Sequence, residues 1–528
     1  MTRKLVMLQK LPKQLKPIII AASLSLVSLQ LPASSLDQCL ANIKVIADDQ
    51  YAISTNNTVV RQLKPTFFGF NLEWLQFELA FWDRSTAKVK PAIIQALKPF
   101  NGAIYRYPGG ISANHFSWRD AAGDMSKRPT RKLEDWLPPF AIAFGPKEYL
   151  SFVQAVNGNA WYVANLYGNK EGLQKSQTMV ADAGDLAREL QTLQTTGLPA
   201  IYRWELGNEL DRSEYKWLPS QLTSSAHNTI NAIKQHQPNA QFTIALQEYP
   251  AMDAAGLSTK QYNSAVAGSM KSTLNEFAIH LYYDDKWRGI TTEKQITSAC
   301  NALDTAESQG IKSPSVWISE HAFIPKGAWE KPDWKYLWPE TGSLQAALSV
   351  ADMLIAAAMV PQINGAMIHS LHGTDGPWPL FHKAKDDTFH PSVVMHGITM
   401  LRTSMLPEVL NTVSTSAHIG DYNGNYDMRA VIMADKSRSQ YSVWAVNRSP
   451  KPANVTLHIA GLANKKMSVK QVSLSDKQLK ADNSLVSMRV VPLQQNQSLN
   501  FNAIGNTVIT LKPYSVSTLR VSASALIN

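Results

Sequence analysis

The chain has 528 residues and a formal net charge of +10, and 45% of its residues are hydrophobic while 17% are charged. This composition is that of a folded globular protein and excludes a disordered chain. The length exceeds what one average core supports, so we expect one large domain and a smaller one.

The first 35 residues have the features of an export signal. Five basic residues precede an apolar segment at residues 18–31, and residues 1–35 contain no acidic residue. Ala33 and Ser35 are small residues that suit cleavage near Leu36. The apolar segment is shorter than the roughly 20 residues that span a bilayer. We therefore predict a signal peptide at residues 1–35, a secreted or periplasmic protein, and no stable membrane insertion after signal removal; a membrane anchor is the alternative.

The basic excess lies at the two ends of the chain. Residues 1–35 contain five Lys+Arg, and residues 405–528 contain 13 Lys+Arg against 6 Asp+Glu. The segment 36–404 is therefore slightly acidic. Because no nucleic-acid-binding motif accompanies the basic ends, we predict no nucleic-acid partner. The C-terminal excess is interpreted as a solvated face, with anionic polysaccharide contact as the alternative.

Only two cysteines are present, Cys39 and Cys300. Export permits a disulfide, but two distant cysteines do not form a disulfide framework. Cys300 lies in a helical pattern at residues 292–309, so we predict a buried, small hydrophobic residue. The sequence has no Cys/His cluster at metal-binding spacing and no phosphate-binding glycine loop. We therefore expect neither a metal nor an organic cofactor.

Strand-like and helix-like segments alternate between residues 64 and 406. The predicted strands are 67–74, 103–108, 160–167, 201–209, 241–248, 276–283, 315–321 and 365–373. Helical spacing of apolar residues marks segments between and after them, including 89–100, 186–196, 218–236, 293–308, 344–360 and 392–406. Eight such units in order predict an α/β fold, a (β/α)8 TIM barrel over residues 61–404.

After residue 405 the helical periodicity stops and short alternating runs appear, separated by Asn, Gly, Pro and Ser. This pattern predicts an accessory C-terminal β-sandwich over residues 405–528. Residues 36–60 are also strand-like and could join that sandwich. The small domain would then be built from both ends of the mature chain.

Two carboxylates end predicted barrel strands, Glu209 at the fourth and Glu320 at the seventh. Reacting groups of such barrels lie at the C-terminal ends of the strands. A pair of carboxylates directed at one point is what cleavage of a glycosidic bond requires. Glu248, at the end of the fifth strand, is the alternative nucleophile. Glu205 is predicted to pair with an inward-facing base, either Arg203 or Arg106.

Two sequence motifs resemble those of a known group of enzymes. Residues 106–110 read Arg-Tyr-Pro-Gly-Gly on the second strand, and residues 205–209 read Glu-Leu-Gly-Asn-Glu on the fourth. With Glu320 on the seventh strand, the chain resembles clan A of the retaining (β/α)8-barrel glycoside hydrolases. Within that clan it is similar to the α-L-arabinofuranosidases and to the heparanase-like family 79 β-glucuronidases.

The resemblance implies a role for each matching residue. Glu209 is the expected acid/base and Glu320 the expected nucleophile. Asn208 is expected to bind the sugar 2-hydroxyl, and Arg106 to support the nucleophile electrostatically. A retaining mechanism of this kind predicts carboxyl groups about 5–5.5 Å apart.

Further substrate-binding residues are expected at other strand ends. Tyr282 matches the tyrosine that holds the nucleophile, with Tyr283 as the alternative, and His280 faces the same way as Tyr282. Trp378 is expected to stack on the sugar, and Glu73 to bind sugar hydroxyls, with a structural role for Glu73 as the alternative.

The sequence thus predicts a glycosidase that acts on polysaccharide or oligosaccharide through a covalent glycosyl-enzyme. The residue after the predicted nucleophile is His321, where arabinofuranosidases usually have Trp, so arabinofuranosidase-like and β-glucuronidase-like activities both remain open. Glucanase- or xylanase-like activity ranks third. The alternative class is a catalytically silent carbohydrate-binding or adhesion protein on the same fold.

Overall fold

The structure is a computed structural model. It describes residues 35–132, 138–168, 176–212, 215–248, 256–284, 291–328, 330, 333–373, 376–386, 388–417, 426–484 and 489–523. The predicted signal peptide, apart from Ser35, lies outside these residues.

A closed parallel barrel forms the larger part of the molecule. Its strands, in chain order, are Phe68–Asn71, Ile104–Tyr107, Asn159–Ala164, Ile201–Leu206, Phe242–Thr243 continued by Ala245–Leu246, Glu276–Tyr283, Ser315–Phe323 and Ile363–His369. We number these barrel strands one to eight. Each pairs in parallel with its neighbours in the order of the chain, and the eighth pairs with the first. The predicted (β/α)8 barrel is therefore confirmed.

The fifth barrel strand is interrupted at Ile244. The half before Ile244 pairs with the fourth strand and the half after it pairs with the sixth. The carbonyl of Ile244 accepts a hydrogen bond of 2.9 Å from the amide of Ala278, which joins the two halves to one wall. The first predicted strand ends earlier than expected, because Trp74 begins a helix.

The α-helices of the described chain are Ser35–Ile43, Trp74–Phe81, Pro91–Leu97, Pro146–Ala155, Ser176–Thr195, Pro219–Lys234, Thr259–Met270, Thr292–Ser308, Leu344–Met359 and Val393–Ser404. Side-chain caps fix several starts, as where the hydroxyl of Ser343 accepts from the amide of Ala346 and that of Ser392 accepts from Met395. Such caps satisfy amides that the first helical turn leaves unpaired.

Among the described residues, no single helix has both the length and the hydropathy of a membrane span. One pair bent by 58°, Lys335–Gly342 with Leu344–Met359, meets those two criteria only when its members are taken together.

The second domain is a ten-stranded sheet that folds back over a core of its own. Its strands, in hydrogen-bonding order, are Leu493–Asn500, Lys466–Ser475, Ser515–Ser522, Gln440–Asn447, Met428–Ala434, Glu408–Ser416, Ala52–Gln62, Ala453–Ile459 and Asn506–Leu511, with Val45–Ala47 paired to Glu408–Ser416. Val469 and Leu457 come from strands far apart in this order, yet they share one buried cluster. The N-terminal strand lies inside the sheet.

The two domains share a buried charged contact. Asp352, on the helix Leu344–Met359, accepts hydrogen bonds from Arg429 at 2.9 Å and from Arg448 at 3.0 Å, both in the second domain. Arg429 also donates to the carbonyl of Ile43 on the N-terminal helix. One helix of the barrel, one strand of the sheet and the N-terminal helix are thereby held at one point.

Cys39 and Cys300 form a disulfide, with their Cα atoms 5.9 Å apart. It ties the N-terminal helix Ser35–Ile43 to the barrel helix Thr292–Ser308. The prediction that Cys300 acts only as a small hydrophobic residue is therefore wrong, although its burial is as expected. Spacing along the chain could not reveal that the two helices pack together.

Candidate active site

The turn after the fourth barrel strand carries Gly-Asn-Glu into the mouth of the barrel. Gly207 has φ of 79° and Glu209 has φ of 47°, so both are in the left-handed region. A Cβ on Gly207 would lie 2.8 Å from Cδ1 of Leu210, so a larger residue would have to displace that side chain as well as adopt a left-handed backbone. Glu209 holds its backbone at a cost of about 1–3 kcal/mol, and strain of this kind clusters at functional sites.

The carboxylates of Glu209 and Glu320 meet beside His280. One oxygen of each carboxylate and one ring nitrogen of His280 all lie within 4.8 Å of one another. Retaining glycosidases place their carboxyl groups about 5–5.5 Å apart, and inverting enzymes place them about 6.5–9.5 Å apart. An oxygen of one carboxylate thus lies closer to an oxygen of the other than the separation typical of inverting enzymes, which is compatible with the retaining geometry.

Five of the described side chains lie within 4 Å of the carboxylate of Glu320, and His280, at 3.8 Å, is the most distant of them. The Oε2 of Glu320 accepts from Asn71 at 2.8 Å and from Arg106 at 3.2 Å, its Oε1 accepts from the hydroxyl of Tyr282, and His369 Nδ1 is 3.5 Å away. Burial opposes ionisation, but His369, His280 and Arg106 outweigh it and lower the pKa of Glu320 to about 2. The group is thus held as the carboxylate that a nucleophile must be.

Glu209 lies between two cationic side chains. Its Oε1 is 2.8 Å from His280 Nδ1, and its Oε2 accepts from Arg212 Nη1 at 2.6 Å. Burial opposes ionisation of Glu209, but the hydrogen bond and charge of His280 outweigh it and hold the pKa of Glu209 below its usual value.

His280 carries the complementary proton. Burial favours the neutral ring, but the charge of Glu320, the nearby carboxylate of Glu205 and the hydrogen bond that His280 donates to Glu209 raise the pKa of His280 to about 10. At neutral pH the Glu209–His280 pair therefore carries one proton, which lies on His280, 2.8 Å from Glu209. A proton held in this way is available to a leaving group that approaches Glu209.

Arg106 connects the second, fourth and seventh barrel strands. Its Nε and Nη2 donate to the two oxygens of Glu205 at 2.7 and 3.0 Å, and Nη2 also donates to Asn208 Oδ1 at 2.7 Å. Of the two partners predicted for Glu205, the structure selects Arg106. Arg203 pairs instead with Glu276, at 2.9 Å.

The side-chain amide of Asn208 is buried beside the two carboxylates. Its Oδ1 is taken by Arg106, and the backbone of Asn208 is held by Asn114 through bonds of 2.6 and 3.2 Å. Its Nδ2 has no hydrogen-bond acceptor within the described part of the chain. A buried donor without a partner is costly, so a ligand hydroxyl is its natural acceptor.

Tyr282, and not Tyr283, contacts Glu320, because Tyr283 faces the opposite way and its hydroxyl is 3.0 Å from His321. The ring of Trp378 is half-buried, lies 5.4 Å from that of Tyr282, and is fixed by an Nε1 bond of 2.6 Å to the carbonyl of Phe323. The structure thus places the predicted stacking residue next to the tyrosine that contacts Glu320.

Glu73 precedes the helix Trp74–Phe81 and is partly buried. A Cβ on Gly110 would lie 2.3 Å from its carboxylate, so the Pro-Gly-Gly turn makes room for Glu73. Glu248 does not contact Glu320 in the described structure. Burial and the charge of Glu209 raise the pKa of Glu248 to about 8, which keeps it protonated at neutral pH and makes it a poor nucleophile.

Asn71 and His369 were not predicted as site residues. They end the first and eighth barrel strands, and their side chains contact each other at 3.1 Å beside Glu320. The predicted first and eighth strands end at residues 74 and 373, beyond Asn71 and His369, so the rule that strand ends line the site did not select either residue. Ser319, which donates to Glu205 at 3.2 Å, carries no signal of this kind.

Glu209, His280 and Glu320 are near enough to one another to share a cation. The guanidinium of Arg106 is already 3.2 Å from Glu320, and the raised pKa of His280 adds a second positive charge. This surrounding favours hydrogen bonding over metal coordination, and we assign no metal ligand.

Comparison with known proteins identifies relatives over most of the chain. No family model matches it. The chain is 21% identical over 474 residues to an exo-α-(1→6)-L-arabinofuranosidase of Bifidobacterium longum, covering 81% of this chain and 87% of the relative. The chain is a homologue of arabinofuranosidases.

Solved structures share the whole architecture. A family 51 α-L-arabinofuranosidase of Bifidobacterium longum superposes with a TM-score of 0.73 at 16% identity, covering 90% of this chain and 99% of that one. A 4-O-α-L-rhamnosyl-β-D-glucuronidase of Fusarium oxysporum gives 0.59 at 14%, covering 90% and 100%. The predicted clan A fold and the resemblance to both groups are confirmed.

Proposed function

We propose that the protein is a retaining exo-acting α-L-arabinofuranosidase that releases arabinose from polysaccharide or oligosaccharide. The observation that carries the reaction is the pair Glu209 and Glu320, because one oxygen of each carboxylate lies within 4.8 Å of the other and of a ring nitrogen of His280. The sugar and the exo action are supported by the relative from Bifidobacterium longum, an exo-α-(1→6)-L-arabinofuranosidase. Both carboxylates are present, and each is held by hydrogen bonds to neighbouring side chains. This arrangement argues against a silent carbohydrate-binding protein.

In the first step Glu320 attacks the anomeric carbon with its carboxylate oxygen. The bond between that carbon and the leaving oxygen breaks, and Glu209 passes the proton of the Glu209–His280 pair to the leaving oxygen. Arg106, Asn71 and Tyr282 orient Glu320 for this attack. Asn208 Nδ2 donates to the sugar 2-hydroxyl, a contact that strengthens in the transition state.

In the second step a water molecule attacks the anomeric carbon of the glycosyl-enzyme. Glu209 accepts the proton of that water, and the ester bond to Glu320 breaks. Esterification removes the negative charge of Glu320, one of the groups that keep His280 protonated. Loss of that charge lets Glu209 and His280 together act as a base, as this step requires.

The charges at the site support a neutral sugar over a uronic acid. Arg106 is fully engaged by Glu205, Asn208 and Glu320, and Arg212 is paired with Glu209. Glu73 adds another acidic side chain close to Tyr282. A uronate would need a cation, and Arg106 and Arg212, the arginines of the site within the described residues, are already paired with carboxylates, so arabinofuranoside is preferred to β-glucuronide.

We also propose that the protein is exported to the periplasm or secreted. The Cys39–Cys300 disulfide supports this location, because disulfides persist in oxidising compartments. The predicted signal peptide supports it as well. N-terminal sequencing of the protein purified from each cell fraction tests the proposal: a mature chain that starts near Leu36 outside the cytoplasm is expected, and an uncut cytoplasmic chain contradicts it.

A panel of 4-nitrophenyl glycosides tests the reaction and the sugar together. We expect 4-nitrophenol to be released from the α-L-arabinofuranoside and little from the β-glucuronide. Faster hydrolysis of the β-glucuronide would contradict the proposed sugar. Glu320→Gly should reduce kcat by at least about 10³-fold, and added azide should restore turnover as a glycosyl azide. Activity on no glycoside, together with oligosaccharide binding, would establish the silent alternative.

A further inference from the structure

Glu205 is a buried carboxylate that cannot touch substrate. It lies on the fourth barrel strand, four residues before Glu209, and its side chain is 0% exposed. Besides the two bonds from Arg106, it accepts from Trp161 Nε1 at 2.7 Å and from Ser319 at 3.2 Å. His280 Nε2 is 3.7 Å from its Oε1. A charge buried at this depth persists only with such partners.

We propose that Glu205 is a positioning residue that controls both catalytic carboxylates, acting on Glu320 through Arg106 and on Glu209 through His280. The inference rests on the proposed glycosidase function. Each of the two routes follows from separate contacts.

The first route fixes the direction of the Arg106 guanidinium. Arg106 donates Nε and Nη2 to the two carboxylate oxygens of Glu205 in a bidentate pair. Its Nη1 is then directed at Glu320 and at Asn71, each at 3.2 Å. A bidentate pair is rigid, because both of its hydrogen bonds must break for the group to rotate. Without this pair, Arg106 could turn two nitrogens towards Glu320 and neutralise the nucleophile more fully.

The second route fixes the charge of His280. The imidazole lies with Nδ1 on Glu209 and Nε2 towards Glu205, so a buried anion stands behind the ring that holds the proton of the pair. Removal of that anion makes the proton easier to lose. Its release from the Glu209–His280 pair should then occur at a lower pH.

Other charged groups surround Glu209 and His280. Glu320 is an anion 3.8 Å from His280. Burial and the charge of Glu209 raise the pKa of Asp211, and they raise the pKa of Glu248 to about 8, so Glu248 is neutral at neutral pH. Arg106 and Arg212 are the cations, and burial lowers the pKa of His369. Glu320 also lies near both, at 3.2 Å from Arg106 and 3.8 Å from His280. Among the described anions, it is Glu205 that holds two nitrogens of Arg106 and lies on the Nε2 side of His280.

The test is Glu205→Gln, which keeps the shape of the side chain and removes its charge. We expect the basic limb of the kcat/KM profile for 4-nitrophenyl α-L-arabinofuranoside to move down by about one pH unit. We expect kcat at the optimum to fall about tenfold or more with little change in KM, because Arg106 no longer holds its direction. A merely structural role would lower activity without moving the limb.

Trp161→Phe is the matched control, because it removes a hydrogen bond to the same carboxylate and leaves the charge in place. Its pH limbs should coincide with those of the wild type. Thermal unfolding of both variants establishes that they fold. An unshifted limb in Glu205→Gln, or an equal shift in Trp161→Phe, overturns the inference.

A measurement on the wild-type enzyme covers the case in which Glu205→Gln does not fold. In ¹⁵N NMR of histidine-labelled protein, with His280→Gln used for assignment, His280 should stay protonated well above pH 8. Titration near the ordinary histidine value of about 6.5 overturns the inference. A wild type that is active with an unshifted Glu205→Gln refutes this inference alone, whereas an inactive wild type refutes the proposed function.

Discussion

Glu209 has one cation in the interior and one at the mouth of the site. His280 is buried, whereas the side chain of Arg212 is 32% exposed. Because both carboxylate oxygens are occupied, a leaving group that reaches Glu209 has to displace one of the two contacts. Arg212 is the one that solvent can replace.

Replacement of Arg212 by Ala should move the basic limb of kcat/KM to higher pH, opposite to the effect of Glu205→Gln. Removal of a nearby positive charge raises the pKa of Glu209, and the partial exposure of Arg212 limits the shift to less than about one pH unit. The pH dependence of 4-nitrophenyl arabinofuranoside hydrolysis measures it.

Arg188→Ala is the control for that variant, because Arg188 also pairs with an acidic residue three positions away, Asp185, on an exposed helix surface. Its profile should match that of the wild type. A downward shift in Arg212→Ala would contradict the assignment of Glu209 as the group that loses the proton.

Sequence reasoning at the residue scale succeeded where chemistry and position coincide. Glu209 and Glu320 carry the signal of a carboxylate at a strand end, and the structure brings them together. Asn71 and His369 sit at strand ends as well, but an amide and a lone histidine are common in loops and carry little signal. Ser319 is indistinguishable from an ordinary strand residue in sequence.

At the scale of elements, the turn at Gly207 determines where Glu209 points. Gly207→Ala would meet both the left-handed backbone and the side chain of Leu210 at 2.8 Å. We expect a loss of about 1–3 kcal/mol in the free energy of unfolding and a lower kcat from a displaced Glu209. Urea unfolding and steady-state kinetics measure the two effects.

Gly197→Ala is the control that distinguishes the effect of backbone strain from the effect of a displaced Glu209. Gly197 has φ of 91° and nothing within 4 Å of an added Cβ. This variant should lose stability through backbone strain alone and keep the wild-type kcat. Equal kcat losses in the two variants would show that the Gly207 turn does not position the acid/base.

The pattern of elements was predictable because strands and helices of a barrel have different periods of apolar residues. The ends of the strands and helices were less predictable. Trp74 begins a helix where a strand was expected, and the break at Ile244 divides the fifth strand, because tertiary pairing decides both. The pairing of Ala52–Gln62 with Glu408–Ser416 joins residues that no local pattern connects.

At the scale of the whole molecule, the disulfide joins segments 261 residues apart. Cys300→Ser should lower the free energy of unfolding by about 2–5 kcal/mol, chiefly because the unfolded chain regains freedom. The bond lies on an outer helix of the barrel, so activity at 25 °C should persist.

Reduction supplies the control for this prediction. A reductant should lower the melting temperature of the wild type to that of Cys300→Ser and leave the variant unchanged. Two free thiols in the unreduced, denatured wild type would contradict the pairing.

The position of Ala52–Gln62 between Glu408–Ser416 and Ala453–Ile459 has a consequence for biosynthesis. This strand precedes the barrel in the chain and its neighbours follow the barrel, so a chain that folds as it emerges from the export channel can close the barrel while the small domain still lacks most of its sheet. Both edges of the early strand stay unpaired until the barrel has emerged, a state open to aggregation. Chaperone dependence of the emerging chain should therefore be greatest in that interval.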